Sequence, residues 1–111
     1  MQIDERKVSI VIVLDINGKM VLGEGDVELK CKMDALIERG DLHVLLNLGG
    51  VPYIDAAGLG EILRSQTSII RSGGKLKLLN LTKRIQDLLV ITKLSRSFEA
   101  FDNEHEALAS F

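Results

Sequence analysis

The residues Val8-Ser9-Ile10-Val11-Ile12-Val13-Leu14 form an almost unbroken apolar run dominated by β-branched side chains. Such side chains are stiff at χ1 and fit the pleated backbone, so the run reads as a strand. Its lack of a polar face implies that it is covered on both sides, as strands of parallel and mixed sheets are. The chain must therefore supply further elements to lie above and below it.

The remaining periodicities supply them. Gln2 to Arg6 is a weaker strand candidate, and Asn17-Gly18 is a turn signal. Asp26 is a candidate N-cap for a helix running to about Glu38, with an apolar stripe of Leu29, Met33, Leu36 and Ile37. Gly40-Asp41 ends that helix. His43 to Leu48 reads as a buried strand closed by Gly49-Gly50. A second helix should start near Leu59-Gly60 and run to Arg71, burying Leu59, Ile62, Leu63, Ile69 and Ile70 with Gln66 as the polar member of the stripe. Ser72-Gly73-Gly74 stops it, and Lys75 to Leu79 is a strand. Asn80 or Thr82 caps a third helix with Ile85, Leu88, Leu89 and Thr92 on its inner face. Ser97 to Phe101 reads as a short strand, and Asn103 or Glu104 to Ser110 as a terminal helix.

Strands alternating with helices pair in parallel through right-handed crossovers. The expected fold class is therefore α/β: one domain over residues 1–111, with a mixed, mostly parallel sheet flanked by α-helices. In the terminal segment, Phe98, Phe101, Leu108 and Phe111 are expected to pack on the domain. Their alternative use as a homodimer interface leaves monomer and homodimer both open.

Composition removes several function classes. The formal net charge is −2, from 14 basic and 16 acidic side chains, which gives no general drive onto nucleic acid or anionic lipid. Asp4, Glu5, Arg6 and Lys7 interrupt the start of the chain before any apolar stretch, unlike a signal peptide. Val8 to Leu14 is far short of the roughly 20 residues that span a bilayer. A cytoplasmic protein is expected. The lone Cys31, between Lys30 and Lys32, reads as a small core residue, since one thiol forms neither an intrachain disulfide nor a thiolate metal cluster. His43 and His105 share no ligand spacing and read as ordinary surface or edge residues.

No catalytic arrangement emerges. GxGxxG, a Walker lysine, a GxSxG elbow and HExxH are all missing, and no serine or cysteine has an evident base nearby. Gly23-x-Gly25 is followed by Asp26, whose charge would repel a phosphate. Glu99, Asp102, Glu104 and Glu106 read as a solvated acidic face. The expectation is a binding module with no enzymatic activity, no metal and no cofactor.

The segment Tyr53 to Gly60 stands apart. Asp55 lies at a strand-to-helix transition and is followed by Ala56, Ala57 and Gly58. Small residues in a first helical turn let another backbone approach closely, and the amides there lack intrahelical partners. A purely architectural reading also fits: Asp55 as N-cap, with small residues seating the helix tightly on the sheet.

The run Asp55-Ala56-Ala57-Gly58-Leu59-Gly60, after the strand Val44 to Leu48, resembles the signature of STAS domains of bacterial anti-sigma-factor antagonists. That signature is typically Asp-Ser-Ser/Thr/Ala-Gly-Leu-Gly at a helix start. The resemblance extends in order over nearly the whole chain, through Asn17-Gly18, the Val-Leu-Leu-Asn-Leu strand, Gly73-Gly74, Leu76 to Leu79, and the helix of Ile85, Leu88 and Leu89. It implies a regulator that binds an anti-sigma factor, or a related histidine-kinase-like ATPase, and in the first case frees a sigma factor. Asp55, Ala56, Ala57, Gly58 and Leu59 would form the contact loop, with Gln66, Thr67 and Arg71 at its rim.

In typical members, the kinase phosphorylates the serine directly after the aspartate. Here that phosphoacceptor position is Ala56, and Ala57 follows it. Neither has a hydroxyl, and the nearest ones belong to Tyr53 and Ser65. The resemblance thus implies either a natural variant without phospho-control or a serine-to-alanine form locked in the unphosphorylated state. A second departure is Val21, where typical antagonists carry an aspartate near the partner surface; Glu24 or Asp26 would have to supply the charge. The alternative implied role is a scaffold, or a subunit of a transporter or a stress-signalling assembly.

Overall fold

The apolar run near the start of the chain folds back on itself. The computed structural model, which describes residues 1–111, forms β1 over Gln2–Val8 and β2 over Val11–Asn17, paired antiparallel with Val8 opposite Val11. Ser9 and Ile10 make the two-residue turn, with Ser9 at φ 58° and Ile10 exposed to solvent. The expected strand over Val8 to Leu14 is therefore split. Positive φ at the first central residue matches the right-handed twist of a hairpin, a position usually held by glycine.

Helix α1 (Gly25–Arg39), β3 (His43–Gly50), α2 (Ala56–Arg71), β4 (Lys75–Leu79), α3 (Lys83–Ile91), β5 (Ala100–Phe101) and α4 (Glu104–Ala109) follow. The sheet order is β1-β2-β3-β4-β5, and every pairing after the first is parallel. Because the order never reverses, right-handed crossovers put α1, α2 and α3 on one face.

Strand periodicity divides the core between the faces. Ile12, Leu14, Ile16, Val44, Leu46, Leu48, Leu76 and Leu78 point toward those three helices and meet Leu29, Met33, Leu36, Leu59, Ile62, Ile69, Ile85 and Leu89. Val11, Val13, Leu45 and Leu79 point the other way and are covered by Ala107 of α4, with Phe101, Leu108 and Phe111 around it. Each fully buried side chain of this size contributes about 1.5–3 kcal/mol before entropy is counted. Phe98 joins the larger cluster. The terminal aromatic residues thus pack on their own domain.

Several local expectations change. Glu24, not Asp26, precedes α1, and its side chain makes no capping bond. Asp26 lies inside the first turn and accepts from the Val27 amide at 2.8 Å. Cys31 is exposed rather than core, because it stands about 200° around the helix from the buried Leu29. On α2 the buried line is Gly58, Leu59, Ile62, Ser65 and Ile69, which leaves Ile70 mostly in solvent. The strand expected from Ser97 is confined to Ala100–Phe101.

Candidate docking loop at the start of the second helix

Beyond β3 the backbone continues extended, and Ile54 forms an isolated parallel bridge with Met20. The Met20 amide donates to the Tyr53 carbonyl at 3.0 Å, and the Asp55 amide donates to the Met20 carbonyl at 3.4 Å. The segment before α1 and the entry to α2 are therefore laced together at the C-terminal end of the sheet.

Asp55 is the N-cap of α2. Its backbone is extended (φ −104°), and its side chain accepts from the Gly58 amide at 2.9 Å. The second carboxylate oxygen accepts from the Leu22 amide at 3.0 Å. The amides of Gly58 and Leu22, in that order, hold the Asp55 carboxyl below its ordinary range. Both oxygens are thus committed, and the first-turn amides face a resident carboxylate. An external phosphate would meet that charge, so the helix mouth is not an anion site.

The sequence-expected residues divide into two groups. Ala56 is exposed and Asp55 and Ala57 are half-buried, whereas Gly58 and Leu59 are buried. Gly58 has a seating role, since a Cβ there would overlap the Met20 carbonyl oxygen and the Ile54 side chain. The segment divides by burial: residues 55–57 are accessible, and 58–59 pack the helix onto the sheet. Of the nearby hydroxyls, Ser65 is fully buried and donates to Glu61 at 3.3 Å. Tyr53 is 42% exposed.

The rim residues on α2 do not act as one group. Gln66 is spent on the carbonyl of Ser97, at 2.7 Å. Thr67 and Arg71 are exposed but lie well along the helix, roughly 16 Å or more from Ala56 at 1.5 Å per residue. The residue that sequence reasoning missed is Leu22. It is 73% exposed and tied to Asp55 through its backbone, a relation between segments that no local pattern encodes. Glu24 and Asp26 lie two and four residues after it in the chain. The surface clefts are lined by other parts of the chain, and residues 51–60 line none of them.

This geometry sits on a fold shared with known proteins. The family model described as "STAS domain" matches residues 2–107. The chain belongs to the STAS domain family. An anti-sigma F factor antagonist from Paenibacillus polymyxa is 27% identical over 99 residues, covering 88% of this STAS domain and 84% of the relative. The crystal structure of a Thermotoga maritima protein provisionally named an anti-sigma factor antagonist superposes with a TM-score of 0.90 at 26% identity, covering 97% of this chain and 92% of that one. A sulfate transporter family protein from Wolinella succinogenes is also similar, with a TM-score of 0.77, 26% identity, and 93% and 85% coverage. The α/β class expected of this STAS domain, with its mixed and mostly parallel sheet, is the one observed. No helix is long and apolar enough to cross a membrane.

Proposed function

We propose that this STAS domain is a cytoplasmic, non-enzymatic anti-sigma-factor antagonist that binds its anti-sigma factor without control by phosphorylation at the loop. The observation that carries this reading is the exposed methyl group of Ala56, directly after a carboxylate whose two oxygens are both bound. In a phospho-controlled loop, a phosphate adds about −1.5 to −2 charges and bulky acceptor oxygens to the contact surface. That charge would stand beside Asp55 and expel a partner fitted to the neutral loop. With alanine there, the loop stays in its binding-competent charge state, and release of the sigma factor depends on concentration and affinity alone.

The test uses the purified anti-sigma-factor kinases encoded in the source genome, with labelled ATP. The wild-type chain should bind one of them and take up no label within residues 51–60. Ala56→Ser should bind, accept phosphate and then dissociate. Label in the loop of the wild-type chain would defeat the proposal.

A second reading is supported by the likeness to the sulfate transporter family protein: a scaffold or subunit whose docking loop is permanently engaged. Co-purification with a membrane transporter, or with a multimer of similar domains in place of a kinase, would favour it.

A further inference from the structure

We propose that Arg84, held over the ring of Tyr53, receives a carboxylate of the docked partner and extends the docking face from the Asp55 loop onto the start of α3. This rests on the docking reading above and adds a named specificity contact to it.

Thr82 caps α3 by accepting from the Ile85 amide at 3.4 Å. The cap fixes Arg84 as the second residue of that helix. Its guanidinium carbon lies 4.8 Å from the centroid of the Tyr53 ring, and Tyr53 is two residues from Asp55. Both side chains lie at the surface, in one neighbourhood with the exposed Pro52 and Ala56 and, through Asp55, with Leu22.

The charge on Arg84 is unused. Arg6, Arg39 and Arg64 each pair with two carboxylates. Lys83, the neighbour of Arg84, pairs with Asp87 at 3.6 Å. Arg84 meets only the aromatic ring, so its N–H donors are left for a ligand. A guanidinium stacked on a ring retains the planar fork that matches a carboxylate in two-point fashion. The ring also restricts its rotamers before binding, which lowers the entropy lost on docking. The first turn of a helix adds attraction for a negative group. Arginine and tyrosine are among the residue types enriched at the energetic hot spots of interfaces. These features together commit the occupant: a protein partner with an aspartate or glutamate aimed at the first turn of α3.

The experiment titrates the purified anti-sigma-factor kinases of the source genome into the full chain by calorimetry, comparing wild type, Arg84→Ala, Arg84→Lys and Ala56→Glu. Arg84→Ala should weaken binding about tenfold or more, with a loss that shrinks as salt rises. Arg84→Lys should restore only part of it. Because Arg84 is exposed, amide spectra of its variants should match wild type, which separates lost contact from lost fold. If Ala56→Glu abolishes binding while Arg84→Ala stays within about twofold of wild type, the Arg84 contact is overturned and the docking reading survives. If Ala56→Glu binds like wild type, or no kinase binds, the docking reading fails and the Arg84 contact falls with it.

Discussion

The carboxylate of Asp55 accepts the backbone amide of Leu22 at 3.0 Å, across 33 positions of sequence. This bond joins the segment before α1 to the mouth of α2, and it fixes the two exposed apolar groups, Leu22 and Ala56, relative to each other. Asp55→Ala should release both amides. Exchange at Leu22 and Gly58 should rise about fivefold, as loss of one net hydrogen bond implies, and partner affinity should fall. Asp55→Asn should free only one of them, because its NH2 group cannot accept. Hydrogen exchange read residue by residue checks this, and unchanged protection at Leu22 in Asp55→Ala would contradict it.

Two glycines in the same helix should respond in opposite directions. A Cβ on Gly58 would overlap the Met20 carbonyl oxygen and Ile54, whereas one on Gly60 meets nothing within 4 Å. Gly58→Ala must therefore push α2 away from the sheet, at about 1–3 kcal/mol. Gly60→Ala gains helix propensity on an open face and should stabilise by about 0.5–1 kcal/mol. Urea midpoints of the two variants decide it, and equal effects would refute the packing account.

The turn at Ser9 offers an independent test. Its φ of 58° is costly for a side-chain-bearing residue, roughly 1–2 kcal/mol, and glycine returns part of that through unfolded-state entropy. Ser9→Gly should raise stability by about 0.5–1 kcal/mol in chemical denaturation, with no change at the docking loop. A loss of stability would mean that Ser9 makes a compensating interaction.

That turn also shows where sequence reading stops. The order of elements and most of the core were legible, because Leu29, Met33 and Leu36 recur at helical spacing and Val44, Leu46 and Leu48 alternate in a strand. Ser9-Ile10 carries no glycine or asparagine, so the hairpin hid inside an apolar run. Helix α2 begins three residues before Leu59 because Ala56, Ala57 and Gly58 have too little side chain to mark a periodic face. The loop at Asp55 could be named from its motif. Which of its residues face out and which seat the helix required the approach of Met20, and the bond to Leu22 required the folded chain. Arg6 and Glu104 are 98 positions apart, beyond any local pattern.

The acid response should follow that distant pair. Arg6 bonds Asp15 at 2.7 Å and also bonds Glu104, while Asn47 donates to Asp15 at 2.8 Å. The guanidinium holds both carboxyls below their ordinary range. Glu5, between Arg39 and Lys32, is lowered to about 2. Groups depressed in the folded state contribute stability that is complete above their unfolded values and is lost as pH falls through the folded ones. Stability should therefore decline between about pH 5 and about pH 2. Arg6→Gln should be less stable near neutrality and should show a shallower acid slope, with the Glu5 part remaining. Urea midpoints measured across that range test it; an unchanged slope in Arg6→Gln would reject the network as the cause.

Lys77 gives the last test, because it is a buried amine on the face that α4 covers. The residue is 5% exposed. Its Nζ donates to the Ser110 carbonyl at 2.8 Å and to the Ser110 hydroxyl at 3.0 Å, with Glu99 at 3.1 Å. The rings of Phe111 and Phe101 lie 5.0 and 5.9 Å away. One side chain thus ties the end of α4 to the middle of β4, over a cluster of only five buried residues. Lys77→Met keeps the methylene stem against the rings but leaves the Ser110 carbonyl without its donor, a cost of about 1–2 kcal/mol. The larger cluster on the opposite face does not depend on this contact. Amide exchange should therefore quicken over 104–110 while α1 and α2 keep their protection, and equal loosening of both faces would show that the two clusters are not separable.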